Sequence, residues 1–408
     1  QVAGLLAALG MVGCPSDDEP VSSVDAPGWW RGELQTREGP IPFLLRIDPS
    51  GQSSGLRFGN ELVPADFARL PSGEVRLTFP QYLTRLRLES AESGRLKGVF
   101  TAPGFPLPAY TLPVVARPIE EPSDDALQAS PGEDPSVDVT GRWACEVDQM
   151  GLTQMVFRQE ADGRISGSIT PQNFSDLRYA WGRVEGRTLR LASFDGQRNY
   201  LVRAQVSPDG ERIEGRFYAP HRFSASFRGT RDPDFELPPQ AVSVRPGYRR
   251  LDLEVLDDDR YDDKVVLVEL MGSWCPNCAD FQRVLRSLYE SHHADGLEVV
   301  ALAYEFSDPR TAERQVEGFK RLHGVQWPIH VMPAFDAQSW ELVMPRALQG
   351  VTGFPVVVLL DRSHRIRKVY TGTRGPAAEG AHRQRRELEA SIARLLDVDP
   401  ESDSRHRP

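Results

Sequence analysis

Cys275 and Cys278 stand in the stretch MGSWCPNCADF, Met271 to Phe281, with two residues between them. Such a pair can form a structural disulfide, supply half of a metal site, or open and close as a redox couple. A zinc site needs a second Cys or Cys/His pair at similar spacing. The chain has four cysteines, Cys14, Cys145, Cys275 and Cys278, and no second C-x-x-C. His292 and His293 do not complete a ligand set and read as solvated residues at a helix end. We therefore expect no metal here, and so few cysteines do not make a disulfide-stapled scaffold.

The flanking pattern favours redox chemistry. KVVLVELM, Lys264 to Met271, is a continuous apolar run of the kind found in a central parallel strand, and it leads straight into the cysteines. Beyond them Phe281, Val284, Leu285, Leu288 and Tyr289 repeat at helical spacing. The pair thus sits at a strand-to-helix junction. The first turn of a helix offers free N–H groups and a positive dipole end, which stabilise a thiolate and lower its pKa. Cys275 is then the nucleophile. Cys278, one turn along and more buried, resolves a mixed disulfide by attacking Cys275. Trp274 shields the pair on one side.

More elements follow in alternation. LEVVALAYE (Leu297 to Glu305) reads as a buried strand, and Asp308-Pro309 as an N-cap and first position of a helix that buries Val316, Phe319 and Leu322. WPIHV (Trp327 to Val331) reads as a short strand. FPVVVLLDRSHRIRKVY (Phe354 to Tyr370) reads as two strands joined at Arg362 to His364, and a last helix carries Leu388, Ile392, Leu395 and Leu396.

WCPNC after a buried strand, with Gly-Phe-Pro before a later one, resembles the thioredoxin fold. DKVVLVELMGSWCPNCADF, DGLEVVALAYE and VTGFPVVVLLDRSHRIRKVYTG together resemble the TlpA/ResA-like branch of bacterial envelope thiol-disulfide oxidoreductases, over about residues 241 to 398. The resemblance implies a cis peptide at Phe354-Pro355, with Pro355 packed against the disulfide and the backbone before it pairing with an extended substrate. Trp274, Pro276, Phe354 and Pro355 are then the substrate-facing residues. Glu269 stands where thioredoxins carry a buried Asp, and Glu305 near a functional Glu of ResA-like proteins. Buried carboxylates have raised pKa values, so either could take the proton from Cys278, with Glu269, central in its strand, the better placed.

The rest of the chain must position or present this unit. At 408 residues it is too long for one ordinary core. A net charge of −10 argues against nucleic acid as the main partner. Residues 27–118 and 138–232 read as short alternating strands with frequent turns. The two blocks match in order: Gly28-Trp29-Trp30 with Gly141-Arg142-Trp143, Pro42–Gly55 with Gln154–Gly167, Gly73–Phe79 with Gly186–Phe194, and Gly94–Pro103 with Glu211–Pro220. That pattern suggests a tandem duplication of a small antiparallel barrel or sandwich. Trp30, Trp143 and Phe217 read as core anchors, and Cys145 as a buried, inert thiol. The fold class is thus two tandem antiparallel β domains followed by an α/β thioredoxin-like domain at 248–398. Linkers fall at 119–137 and 233–247, and a tail at 399–408.

The front end adds a location. Within residues 1–13, Val2 to Gly13 is apolar and too short to span a membrane as an independent helix. With Met11-Val12-Gly13-Cys14 they resemble the remnant of a bacterial lipoprotein signal, in which Cys14 is lipidated. Residues 14–26 form a polar, Pro-rich tether. The expected protein is a lipid-anchored thiol-disulfide oxidoreductase on the periplasmic side of the envelope. It would reduce protein disulfides through a mixed disulfide, use no cofactor beyond its own redox-active disulfide, and take electrons from a transmembrane thiol donor. Alternatives are a partner-binding protein with a passive thioredoxin-like adaptor, or a dithiol oxidase. The helical insertion around Asp308–His323 is small for the oxidase.

Overall fold

The structure, a computed structural model, describes residues 28–58, 61–103, 109–127, 132–172, 177, 179–238, 242–332, 344–371 and 381–397. Cys14, the signal-like stretch, the tether and the tail lie outside the described residues.

The first sheet holds β1 (Gly28–Thr36), β2 (Gly39–Ile47), β3 (Gly55–Phe58), β4 (Glu61–Pro64), β5 (Asp66–Arg69), β6 (Val75–Phe79), β7 (Thr84–Ser90), β8 (Leu96–Ala102) and β9 (Tyr110–Ile119). Neighbouring strands pair in chain order and β1 pairs β9. Only Ala65 separates β4, paired to β3, from β5, paired to β6. Its N–H still donates to the Ser54 carbonyl at 3.0 Å. The two segments are one strand bent at Pro64, which has no N–H to give the ladder. Inward residues alternate along β9, where Tyr110, Leu112, Val114 and Ala116 are buried.

The second sheet closes as a barrel of β10 (Gly141–Val147), β11 (Gly151–Gln159), β12 (Arg164–Pro171), β13 (Tyr179–Glu185), β14 (Thr188–Phe194), β15 (Asn199–Val206), β16 (Arg212–Ala219) and β17 (Phe223–Arg231). The matched segments occupy equivalent places. The Gly-x-Trp pairs lie on β1 and β10 with Trp30 and Trp143 in the cores, and the Gly-x-Phe-x-Ala segments lie on β8 and β16. Cys145 is buried, and burial pushes its thiol up to about 12.

The barrels pack on each other. Phe194 of β14 sits edge-on to Phe43 and Phe100, with ring centroids 5.2 and 5.0 Å apart, and Trp181 meets Phe58 at 5.5 Å. Ala192, Phe194 and Leu201 belong to the first barrel's apolar cluster. Nor is the stretch between the barrels plain tether where it is described. Leu127 is buried in a 3-10 turn, and the Ser136 N–H donates to Gly186 at 2.8 Å.

The last unit is α/β. Its five-stranded sheet runs β21 (Ile329–Val331), β20 (Leu297–Ala303), β19 (Val265–Met271), β23 (Val356–Leu360), β24 (Ile366–Thr371). The first three are parallel and the last two antiparallel to their neighbours. Every residue of β19 is buried, as a strand covered on both faces must be. The helices are α1 (Pro276–His292), α2 (Pro309–His323) and α3 (Ala381–Leu396).

Two expectations need correction. Leu322 is 41% exposed, because α2 ends at His323 and the His323 ring takes the core side against Phe319, 4.4 Å between centroids. The stretch 233–247 is more than a linker. Within it β18 (Ser243–Val244) pairs β22 (Leu348–Gln349), and the Arg245 N–H donates to Ala347.

Phe194→Ala removes the ring that joins the barrels, and loss of a buried Phe costs about 3–5 kcal/mol. Hydrogen exchange should then quicken in β2 and β8 of the first barrel as well as in β14. Loosening confined to β14 and β15 would show that the barrels are energetically independent.

Candidate active site

β19 delivers the chain into the redox turn. Gly272 and Ser273 follow it, and the Cys275 N–H donates back to the Gly272 carbonyl at 3.0 Å. Cys275 is the N-cap of α1, in extended conformation, and Pro276 takes the first helical position, where a missing N–H costs nothing. The Cys275 sulfur accepts the Cys278 N–H at 3.3 Å and lies 3.7 Å from the Phe354 carbonyl oxygen. It occupies the place a capping oxygen normally fills at a helix start.

The two thiols, close in sequence and both buried, are driven in opposite directions. Burial pushes Cys275 up, but the hydrogen bonds from the Cys278 side chain and N–H, the charge of Arg198 and the Asn277 N–H outweigh it, so its pKa falls below the ordinary thiol value. Burial raises Cys278 well above that value, and the Cys275 hydrogen bond and charge and the Glu269 carboxylate push the same way. Of the two thiols, Cys275 is the one that ionises more readily.

The structure brings most of the expected residues together. Pro355 follows Phe354 through a cis peptide, and the Phe354 carbonyl faces the Cys275 sulfur. Trp274 donates its indole N–H to the Tyr304 carbonyl at 2.9 Å and lies 4.5 Å from the Phe306 ring and 6.0 Å from Phe354. Tyr304 stacks on Phe354 at 5.3 Å. Pro276 is buried on α1 beside the cysteines.

The two carboxylates have different partners. Glu269 is fully buried in the middle of β19, between Ala301 and Val357 of the flanking strands. Both its oxygens accept from the Gln282 amide at 3.0 Å, and the same amide reaches the Cys278 carbonyl at 3.2 Å. Burial lifts Glu269 to about 8, against the Gln282 hydrogen bond. Glu305 accepts from the Ser273 N–H at 2.7 Å and from its hydroxyl at 2.9 Å, and burial lifts it to about 7. Glu269 acts electrostatically on Cys278, whereas Glu305 is tied to the turn that precedes the cysteines.

Sequence reading missed Gln282, Ser273, Phe306 and Arg198. Gln282 had a usable signal, since it stands four residues after Cys278 on the same helix face. Arg198 had none, because it comes from the second barrel.

No family model matches the chain. Over 133 residues it is 28% identical to the thiol-disulfide oxidoreductase ResA of Geobacillus thermodenitrificans, a match covering 32% of this chain and 69% of that protein. Among solved structures, a Chlorobium tepidum protein described as a thiol:disulfide interchange protein DsbE is 21% identical, with 38% of this chain and 99% of that one covered at a TM-score of 0.29. A thiol-disulfide isomerase from Corynebacterium glutamicum is 20% identical, with 38% and 97% covered at a TM-score of 0.26. Scores this low add nothing to the geometry. The curated relative carries the activity that the sequence resemblance implied, thiol-disulfide oxidoreductase.

Two predictions follow from the titrations. At neutral pH, iodoacetamide should label Cys275 and leave Cys278 protected, as read by peptide mass spectrometry of the reduced protein. Equal labelling would contradict the opposed displacements. Glu269 rises from an ordinary 4.5 to about 8 in the folded chain, so the folded state binds more protons across that window. Stability must then fall as pH rises from 4.5 to about 8. Glu269→Gln should flatten that decline in denaturant unfolding of the reduced protein, and an unchanged slope would place the pH dependence elsewhere.

Proposed function

We propose that the chain is a membrane-anchored thiol-disulfide oxidoreductase of the bacterial envelope that reduces disulfides in other proteins. The observation that carries this reading is the pair of adjacent thiols at a helix N-terminus, with Cys275 lowered and Cys278 raised. A structural disulfide has no use for that asymmetry. A nucleophile and a resolving thiol need it.

The cycle runs as follows. The Cys275 thiolate attacks one sulfur of a substrate disulfide, forming a Cys275–substrate disulfide and releasing the other substrate sulfur as a thiolate that takes up a proton. The Cys278 thiol gives its proton to the Glu269 carboxylate and attacks the Cys275 sulfur. The second substrate sulfur leaves with the bond pair as a thiolate and takes up a proton from water, and the enzyme is left with a Cys275–Cys278 disulfide. Two electrons have passed from the dithiol to the substrate. A carboxylate lifted to about 8 is protonated over much of the neutral range, so Glu269 also serves as proton donor when the disulfide is reduced again. Glu305 holds the Ser273 backbone and so keeps the turn before Cys275 in place.

The Phe354 carbonyl, next to the Cys275 sulfur, supports backbone pairing with an extended substrate strand, flanked by Trp274, Pro276 and Pro355. The anchor reading rests on the signal-like residues 1–13 and on Cys14. Reducing equivalents come from a transmembrane thiol donor, and the cycle needs no metal or organic cofactor.

The test is trapping and potential together, on the full chain. Cys278→Ser should accumulate a mixed disulfide with a reducible protein substrate, while Cys275→Ser should trap none and lose reductase activity. The Cys275–Cys278 couple should equilibrate near about −270 mV, whereas a value near about −120 mV would make the protein an oxidant.

A further inference from the structure

Five arginines form one row across the second barrel. The register sets Arg164 of β12 opposite Arg183 of β13, Arg183 opposite Arg190 of β14, Arg190 opposite Arg203 of β15, and Arg203 opposite Arg216 of β16. Residues directly opposite each other share a face of the sheet. That face is the outer one, because the strand neighbours Val184, Leu189, Leu191, Val202, Ala204 and Phe217 fill the barrel core. With strands about 4.8 Å apart, the row spans about 19 Å along the sheet.

Like charges directly opposite each other destabilise a sheet, so such a row calls for neutralising groups. The barrel supplies few. The Asp162 carboxylate takes Arg164 Nε at 2.7 Å, and the Asp162 backbone carbonyl takes Arg183 Nη2 at 2.6 Å. Arg216 donates to the Ser224 hydroxyl at 3.2 Å and lies over the Tyr218 ring. Among the described residues, no carboxylate pairs with Arg183, Arg190, Arg203 or Arg216, and the last three are exposed. Exposed arginines elsewhere on the barrels do have acids, Arg228 with Glu146 at 3.0 Å and Arg87 with Glu74 at 2.7 Å.

The row borders the seam between the barrels. Two residues along each strand from an arginine stand Trp181, Ala192, Leu201 and Tyr218, again opposite one another, and these pack on the first barrel's apolar cluster. Tyr218 and Ser224 also line a cleft of about 530 Å³ where the β16–β17 turn meets the β1–β2 turn and β9. Arg37, His221 and Arg222 stand in that cleft with Leu112, Pro113 and Phe223, and Glu38 is the one carboxylate among its described lining residues. Arg203 lies against the same β1–β2 turn, where a Cβ added at Gly39 would meet its guanidinium at 2.9 Å. Cations without acids thus lead into a hollow with apolar and aromatic walls.

We propose that the arginine row and the adjoining cleft are a docking surface for an acidic, extended segment of a partner protein. Guanidinium groups take carboxylates through paired hydrogen bonds, and the cleft receives an apolar or aromatic side chain of the same segment. A chain of net charge −10 repels a dense polyanion such as nucleic acid, and a flat membrane surface does not fill a cleft between two barrels. That the partner is a protein rests on the reading of the chain as one that acts on protein disulfides. The surface gives the barrels a part in choosing partners that a spacer would not have.

The experiment uses the full chain with Cys275→Ser and Cys278→Ser, so that binding is measured without disulfide exchange and stays informative if the proposed reaction is wrong. The probe is a fluorescein-labelled peptide of glutamates interspersed with leucine and tyrosine, read by fluorescence anisotropy. It should bind, and its counterpart with glutamine in place of glutamate should not. Arg190→Ser with Arg203→Ser should weaken binding roughly tenfold. Arg87→Ser with Arg228→Ser removes the same charge from arginines that already have acids, and should change binding little. Thermal unfolding checks that both double variants keep their fold. Absence of binding by the glutamate peptide, or equal loss in the two double variants, overturns the proposal. So does tighter binding, through Arg190 and Arg203, of phosphatidylglycerol vesicles or of a single-stranded oligonucleotide, which would give the row to a membrane or to nucleic acid.

Discussion

The active site depends on burying the junction between β19 and α1. A strand covered on both faces carries the chain to a helix start with no water to solvate what it brings there. Removing water raises every acid in the neighbourhood, and Glu269, Glu305 and Cys278 all move that way. Cys275 escapes because it alone sits at the N-cap, where its sulfur accepts a backbone N–H and meets the positive end of the helix. One residue of capping geometry and one helical turn of spacing thus displace two chemically identical thiols in opposite directions.

The same burial explains the polar links around the pair. A carboxyl group in a dry core needs hydrogen-bond partners, since leaving it unpaired costs more than its net bonding gains. Gln282 serves both oxygens of Glu269 and the Cys278 carbonyl, so strand and helix are joined beneath the cysteines. Ser273 serves Glu305 with both its N–H and its hydroxyl, joining the redox turn to the end of β20. These contacts tie the turn and the helix start to the strands beneath them.

The barrels solve a different problem. A meander of short strands leaves unpaired edges unless it closes, and both sheets close on themselves, the first through a strand bent at Pro64. Among the described residues, their cores hold Trp30 and Trp143 and no constellation of acids, bases and nucleophiles. Apolar contact through Phe194 turns the two barrels into one packed body, which sets the Asp195–Arg198 turn beside the first barrel's rim. A packed pair of barrels can present one side chain at a defined place. Two modules on a flexible tether could not.

Much of this was legible in the chain. Hydrophobic periodicity is a local property, and it identified β19, β20, α1 and the repeated β segments. Leu322 shows where periodicity stops being a guide, since the last turn of α2 follows what the neighbouring His323 covers and not its own pattern. Residues 243–244 show the same for composition, because a polar stretch can still supply a short strand when a partner edge is available. Residue types and their short-range spacing determined the redox pair, its helix and the strands around it, because those depend on contacts within a few turns of chain. Only the tertiary structure decided which acid acts on Cys278 and what holds Glu305. Charge acts through space, and folding sets those distances.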